Sequence, residues 1–175
     1  MVTAFATVNA LANKPLIVIE TTLGKMTAEL YPDQSPKTVE NILALVDAGF
    51  YNELIFHRVI PDFIIQTGGY LPNMNHREGP RTVVNESNNG LKNGRYTLAM
   101  ARLSDPNSAG SQFYINLADN KHLNYRRGAP GYTVFGRVVD GRDVLEKIGL
   151  TKTQTSFGMR DVPVEPIIIK EIYRR

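Results

Sequence analysis

Leu16–Thr22 and Lys25–Tyr31 are the first stretches in which apolar residues recur at strand spacing, and Leu23-Gly24 between them predicts a tight turn. In the second stretch Met26, Ala28 and Leu30 fall on one face. Ser35-Pro36 then supplies an N-cap residue and a proline at the first helical position. Val39, Ile42, Leu43 and Val46 follow at helical spacing until Gly49 stops the helix. Strand-like runs recur at Leu54–Val59, Phe63–Thr67, Tyr96–Ala101, Gln112–Leu117, Tyr132–Val139 and Val164–Tyr173. A shorter helix fits Arg142–Ile148 and is ended by Gly149, and the Asn-, Gly- and Pro-rich stretch Gly68–Arg95 predicts a long ordered loop. About eight strands and two helices point to a mainly β fold, a closed eight-stranded antiparallel barrel capped by the helices and filled by its own side chains. A binding site in such a barrel has to lie on the outer wall.

The chain of 175 residues suits one domain with a full hydrophobic core, from about Pro15 onward. A formal charge of +3, with basic residues only in short pairs such as Arg126-Arg127 and Arg174-Arg175, argues against nucleic-acid binding. Without cysteine, disulfides and thiolate ligands are excluded. No apolar run approaches the roughly 20 residues that span a bilayer. Residues 1–14 fit two readings. Ala10-Leu11-Ala12 has the small-x-small form of a leader-peptide cleavage site, which leans toward a periplasmic address, and the alternatives are a frayed arm and a cytoplasmic protein.

Most catalytic chemistries find no residues here. Ser111 sits in AGSQF, which is no nucleophile elbow, and His57, His76 and His122 show no paired ligand spacing, so neither a metal nor another cofactor is expected. The distinctive stretch is FHRVIPDFIIQTGG, residues 56–69, which sets Arg58 among Val59, Phe63, Ile64 and Ile65 with Gln66 eight positions on. Burying a guanidinium beside such side chains is costly without a partner. Arg58 is then either half of a structural ion pair or a group that polarises something bound in an apolar pocket.

Three further segments share this apolar-plus-amide character: LAMAR at 98–102, AGSQFYINLADNKHLN at 109–124 and GYTVFGRVVDG at 131–141. In this order the four segments resemble the cyclophilins, peptidyl-prolyl cis-trans isomerases, and most closely the bacterial members. The resemblance spans about Leu16 to Tyr173. It implies a catalytic Arg58, a pocket wall of Phe63 and Ile64 (usually Phe-Met), and Gln66 holding the arginine and substrate. It places Ala101 and Arg102 where the family's backbone meets substrate, Tyr114 on the pocket floor where Phe is usual, Phe113 close beneath it, and Leu123 in the following loop. His122 stands where many eukaryotic members have tryptophan, and Tyr132 where they have histidine. The first departure removes an indole donor and implies weak or no cyclosporin binding.

The implied task is rotation about X-Pro bonds in unfolded or flexible chains, assisting folding. That barrier arises from amide resonance and is about 18–20 kcal/mol, and the uncatalysed exchange takes tens to hundreds of seconds. Nothing is cleaved, so the implied machinery needs no nucleophile, metal or cofactor. Arg58 can donate to a proline nitrogen that becomes a good acceptor only when conjugation is broken. The alternative function is a proline-segment binding module or chaperone using the same groove, with catalysis incidental. Proline-containing polypeptides are the expected partners of a monomer, with no nucleic acid or membrane.

Overall fold

Thr22 and Leu23 turn the chain so that β1 (Leu16–Thr21) and β2 (Gly24–Leu30) pair as an antiparallel hairpin, closed by the Thr21 hydroxyl donating to the Gly24 carbonyl at 2.8 Å. The structure is a computed structural model that describes residues 14–175; Ala10-Leu11-Ala12 lies outside the described residues. After the hairpin come α1 (Pro36–Asp47), β3 (Arg58–Ile60), β4 (Ile64–Thr67), β5 (Thr97–Met100) and β6 (Phe113–Asn116). A short 3-10 helix (Lys121–Leu123), β7 (Val134–Asp140), α2 (Arg142–Gly149), β8 (Thr153–Ser156), β9 (Met159–Pro163) and β10 (Ile169–Arg174) complete the chain. Eight strands form one antiparallel sheet in the order β10-β1-β2-β7-β5-β6-β4-β3, and β8 and β9 form a separate hairpin.

All eight expected strands belong to the main sheet, but the expected closed barrel is not confirmed. The sheet curls, and its regular ladder stops at β3 on one side and β10 on the other. Across that seam the backbones meet irregularly, through Glu53 N–H to Ile169 O at 2.8 Å, Ile169 N–H to Leu54 O at 2.8 Å and Phe56 N–H to Ile167 O at 3.0 Å. The last strand begins at Ile169 and not at Val164, since Ile167 meets Phe56 only through an isolated bond and Pro163 belongs to β9. On the other side Ile55 turns its N–H to Tyr70 O, so β3 keeps only Arg58 and Val59 of the six residues expected and extends one further, to Ile60.

Two details of the helices differ from expectation. Ser35 precedes α1, but its hydroxyl donates to Val134 O at 2.7 Å and caps nothing. The capping acceptor is the Glu86 carboxylate, which takes the Lys37 and Thr38 N–H groups at 3.1 and 2.9 Å and the Thr38 hydroxyl at 2.7 Å. Gly149 is the last residue of α2, with Leu150 at the C-cap, and a Cβ at Gly149 would stand 2.9 Å from Leu117 Cδ1, so close packing favours glycine there.

Strand alternation divides the apolar residues between two clusters. Val59, Ile65, Leu98, Phe113, Ile115 and Phe135 join the main core with residues of both helices. Ile64, Ala99, Tyr114 and Val134 form a smaller cluster on the opposite, outer face of the same strands. All four residues of β5 and of β6 are buried as a result.

The β8–β9 hairpin was not expected. Its two turn residues, Phe157 and Gly158, both have positive φ, 49° and 77°, as a two-residue hairpin turn with right-handed strands requires. Asn is the usual residue at the first position, and Phe157 hides the signal. Its ring is 83% exposed. Phe157→Asn is expected to stabilise the protein by about 0.5–1 kcal/mol, from the better left-handed conformation, and to raise Tm by about 1–4 °C. An unchanged or lower Tm in a thermal melt contradicts the strain argument.

Candidate active site

In the β3–β4 hairpin Arg58 faces Gln66 and Val59 faces Ile65. Val59 and Ile65 are fully buried in the main core, so alternation sends Arg58 and Gln66 to the outer face. Followed across the sheet, Gln66 pairs with Tyr114, Tyr114 with Ala99, and Ala99 with Val134. These positions form one cross-strand row, and strands are spaced about 4.8 Å apart. Arg58 therefore stands two strands from Tyr114, within reach of an extended arginine.

Ile64, Ala99, Tyr114 and Val134 make the floor of a shallow apolar hollow, and Phe63, Ala101, Leu123 and Tyr132 stand partly buried around it. The Tyr132 ring meets Tyr114 edge-on at 5.9 Å, and the His122 ring stacks on Phe63 at 5.6 Å. The Tyr114 hydroxyl donates to Asn93 Oδ1 at 2.8 Å, and burial holds its pKa far above the ordinary tyrosine value, so it stays protonated. Beside the hollow, a cleft of about 340 Å³ runs past Gln66, Ala101 and Arg102 toward Tyr70, His76 and Glu78.

The two arginines of the region have different surroundings. Arg102 Nε donates to Gly131 O at 3.1 Å, its Nη2 to Pro130 O at 2.9 Å and its Nη1 to Leu103 O at 2.9 Å. Its guanidinium also lies 4.7 Å from the centre of the Tyr132 ring. That side chain braces the loop carrying Tyr132. Arg58, half-buried, makes no side-chain hydrogen bond or ion pair among the described residues.

The structure thus brings Arg58, Phe63, Ile64, Gln66, Ala101, Tyr114, His122, Leu123 and Tyr132 together on one face. Phe113 is the exception. It points into the main core, edge-on to Tyr51 at 5.5 Å and Phe135 at 6.0 Å, because it is one residue out of phase with Tyr114. Gln112 was missed. It accepts from Gln66 Nε2 at 3.0 Å and lines the cleft, and the period-2 spacing from Tyr114 would have found it. Among the described residues no group of three or more His, Asp or Glu is placed to hold a metal ion.

A model of the cyclophilin type peptidyl-prolyl cis-trans isomerase family matches residues 16–174. The chain belongs to that family. Peptidyl-prolyl cis-trans isomerases of Streptomyces antibioticus and Escherichia coli are 48% and 44% identical to it, over 88% and 90% of this chain and 95% and 98% of theirs. A Cryptosporidium parvum cyclophilin, solved in the presence of the dipeptide Ala-Pro, superposes with a TM-score of 0.77 at 32% identity, covering 91% of this chain and 98% of that one. This cyclophilin is accordingly an isomerase that acts in protein folding.

His57, next to Arg58, is unsuited to acid–base chemistry in this cyclophilin. It is buried, its Nδ1 has no hydrogen-bond partner among the described residues, and its ring packs against Tyr70 at 4.7 Å. Burial first, then the charges of Arg58 and His76, lower its pKa from 6.5 to about 4. Above pH 6.5 the ring is neutral in folded and unfolded chains alike. Between about 6.5 and 4 the unfolded chain takes up a proton that the folded one refuses, so stability falls as pH falls, by about 3 kcal/mol in all. His57→Gln is expected to show a smaller loss of Tm than wild type between pH 7 and 4.5. Parallel Tm–pH curves for the two proteins contradict the assignment.

Proposed function

We propose that Arg58 is the catalytic residue of this isomerase, and that the hollow of Phe63, Ile64, Tyr114, Leu123 and Tyr132 holds the proline ring of an X-Pro segment. The observation that carries this reading is the guanidinium of Arg58, without a partner among the described residues, in the same cross-strand row as the hollow's floor. The Ala-Pro dipeptide used with the Cryptosporidium parvum cyclophilin supports proline-containing chains as the substrate class. Gln66 and Gln112, bonded to each other, flank the arginine and offer amide groups to the substrate backbone. Ala101 and Arg102 offer their backbone to the same chain, since the Arg102 side chain is engaged elsewhere.

As the amide twists, its nitrogen becomes pyramidal and regains a lone pair. Arg58 donates to that lone pair, an interaction absent from the planar ground state and hence specific to the transition state. The apolar hollow keeps the ring fixed while the preceding carbonyl swings, which is a positioning contribution. An acceleration of about five powers of ten needs roughly 7 kcal/mol. One charge-assisted hydrogen bond supplies about 1.5–3 kcal/mol, so the hollow and the flanking amides provide the remainder.

Arg58→Ala is expected to lower turnover by about one to three powers of ten with little change in Tm. NMR exchange on a proline peptide measures it, and near-normal turnover rejects the role. Because arginine stays charged at ordinary pH, the rate is expected to be flat between about pH 6 and 9. A bell-shaped profile in that window points instead to His122 beside Phe63.

We propose further that the protein works as a monomer on unfolded or flexible chains and binds cyclosporin weakly. His122 offers no indole donor at the rim and is committed to its stack on Phe63. Calorimetric titration with cyclosporin is expected to give a Kd weaker than micromolar. Sub-micromolar binding would show that another group replaces the donor.

A further inference from the structure

Beneath the hollow lies a set of buried amide side chains with no part in the chemistry described so far. Asn93, Asn116 and Asn120 are 2%, 0% and 5% exposed. Asn93 Oδ1 accepts the Tyr114 hydroxyl at 2.8 Å and the Asn116 Nδ2 at 3.2 Å. Its own Nδ2 donates to the Leu123 carbonyl at 3.2 Å and stands 3.4 Å from the Tyr132 carbonyl. Asn116 Oδ1 in turn accepts from Asn120 Nδ2 at 2.8 Å, and that same nitrogen donates to the Phe63 carbonyl at 2.9 Å.

The termini of this network set it apart from an ordinary buried polar cluster. Its bonds to Thr97 and Asn124 hold it in the fold. Its other outlets are the floor ring Tyr114 and the three walls Phe63, Leu123 and Tyr132, which come from separate stretches of chain. Leu123 and Tyr132 are also joined directly, by the Tyr132 N–H to Leu123 O bond at 3.0 Å. Buried hydrogen bonds of this kind are strong and mutually reinforcing, and losing one member leaves several groups unpaired.

We propose that Asn93 is a positioning residue for isomerisation. Without touching substrate, it sets the spacing of floor and walls, and so the place of the proline ring relative to Arg58. The inference rests on the assignment of the hollow as the proline site. A misplacement of about 1 Å in a reacting geometry can cost up to about a hundredfold in rate. A ground-state ring tolerates a looser slot better than the twisted amide does.

The test compares wild type, Asn93→Ala, Tyr114→Phe, the double variant and Arg58→Ala in kcat, KM and Tm on one X-Pro peptide. Asn93→Ala is expected to lower kcat roughly tenfold with KM changed less than about threefold, beyond any fall in Tm. Tyr114→Phe, which cuts one of the network's bonds, is expected to cost a few-fold. The double variant should be no worse than Asn93→Ala alone, since the hydroxyl has by then lost its partner. A folded Asn93→Ala protein with lowered Tm and wild-type kcat overturns the inference and leaves the network a purely structural one. Should Asn93→Ala not fold, wild-type kcat in Tyr114→Phe overturns it instead. If Arg58→Ala keeps full activity, the site assignment falls and the inference with it. Sensitivity to Arg58→Ala but not to Asn93→Ala or Tyr114→Phe sinks the inference alone.

Discussion

Burial on both faces of β4, β5, β6 and β7 is the constraint from which this protein's site follows. A strand that is covered on one side only presents polar residues to water on the other. Here Leu98, Phe113, Ile115 and Phe135 face the main core, while Ala99, Tyr114 and Val134 face outward and are still nearly inaccessible. The outer cluster is covered by side chains from loops and from the short 3-10 helix, and the covering residues Phe63, Ala101, Leu123 and Tyr132 are themselves only partly buried. The hollow is thus the outer margin of a second, shallow core, which is why its walls are apolar and its floor belongs to the sheet.

The covering loops need support of their own, and polar side chains from residues 68–95 provide much of it. Arg77 bonds the carbonyls of Phe50 and Asn52, both at 2.9 Å, and Arg81 bonds Asn41 Oδ1 at 2.9 Å. Glu86 caps α1 from almost fifty residues away. Asn85 donates to Gly131 O at 3.0 Å, and Asn89 bonds Ser35 and Val134. Each such bond contributes only about 1 kcal/mol net, but leaving one partner buried and unpaired costs about 1–3 kcal/mol. The long loop is therefore a brace, and the ordering expected of it has a physical cause.

Local periodicity was enough to find every strand of the main sheet, both helices and the face on which a site had to lie. It fell short where a distant group decides the local outcome. Ser35 sits at a position where serine ordinarily caps, yet a carbonyl on β7 takes its hydroxyl and a carboxylate from the loop takes its place. The seam of the barrel is set by the irregular backbone bonds of Glu53, Leu54 and Phe56 to Ile167 and Ile169 and by the turn of Ile55 toward Tyr70, neither of which a hydrophobic pattern reports. Phe157 occupies a turn conformation in which its type is rarely found, so the last hairpin gave no signal. For the site itself, family resemblance brought both Phe113 and Tyr114 forward, although strand alternation allows only one of two adjacent residues on the outer face. The same alternation applied to Gln112 identifies a residue that resemblance had left aside.

The surroundings of Arg58 and Arg102 connect this architecture to the chemistry. Five N–H donors on a guanidinium normally find acceptors when the side chain is partly buried. Arg102 does so on three carbonyls and gains the face of Tyr132, and its charge is spent on holding a wall in place. Arg58 lies on a three-residue strand at the sheet's edge, paired on one side only, with Gln66 opposite it turned to Gln112. No carboxylate or carbonyl of the protein competes for it among the described residues. A donor with an acceptor already in hand would have to exchange one bond for another as the amide twists, and the transition state would gain little. In the role proposed for it, Arg58 has no protein partner among the described residues to give up, so a bond to the twisted nitrogen would count in full toward lowering the barrier.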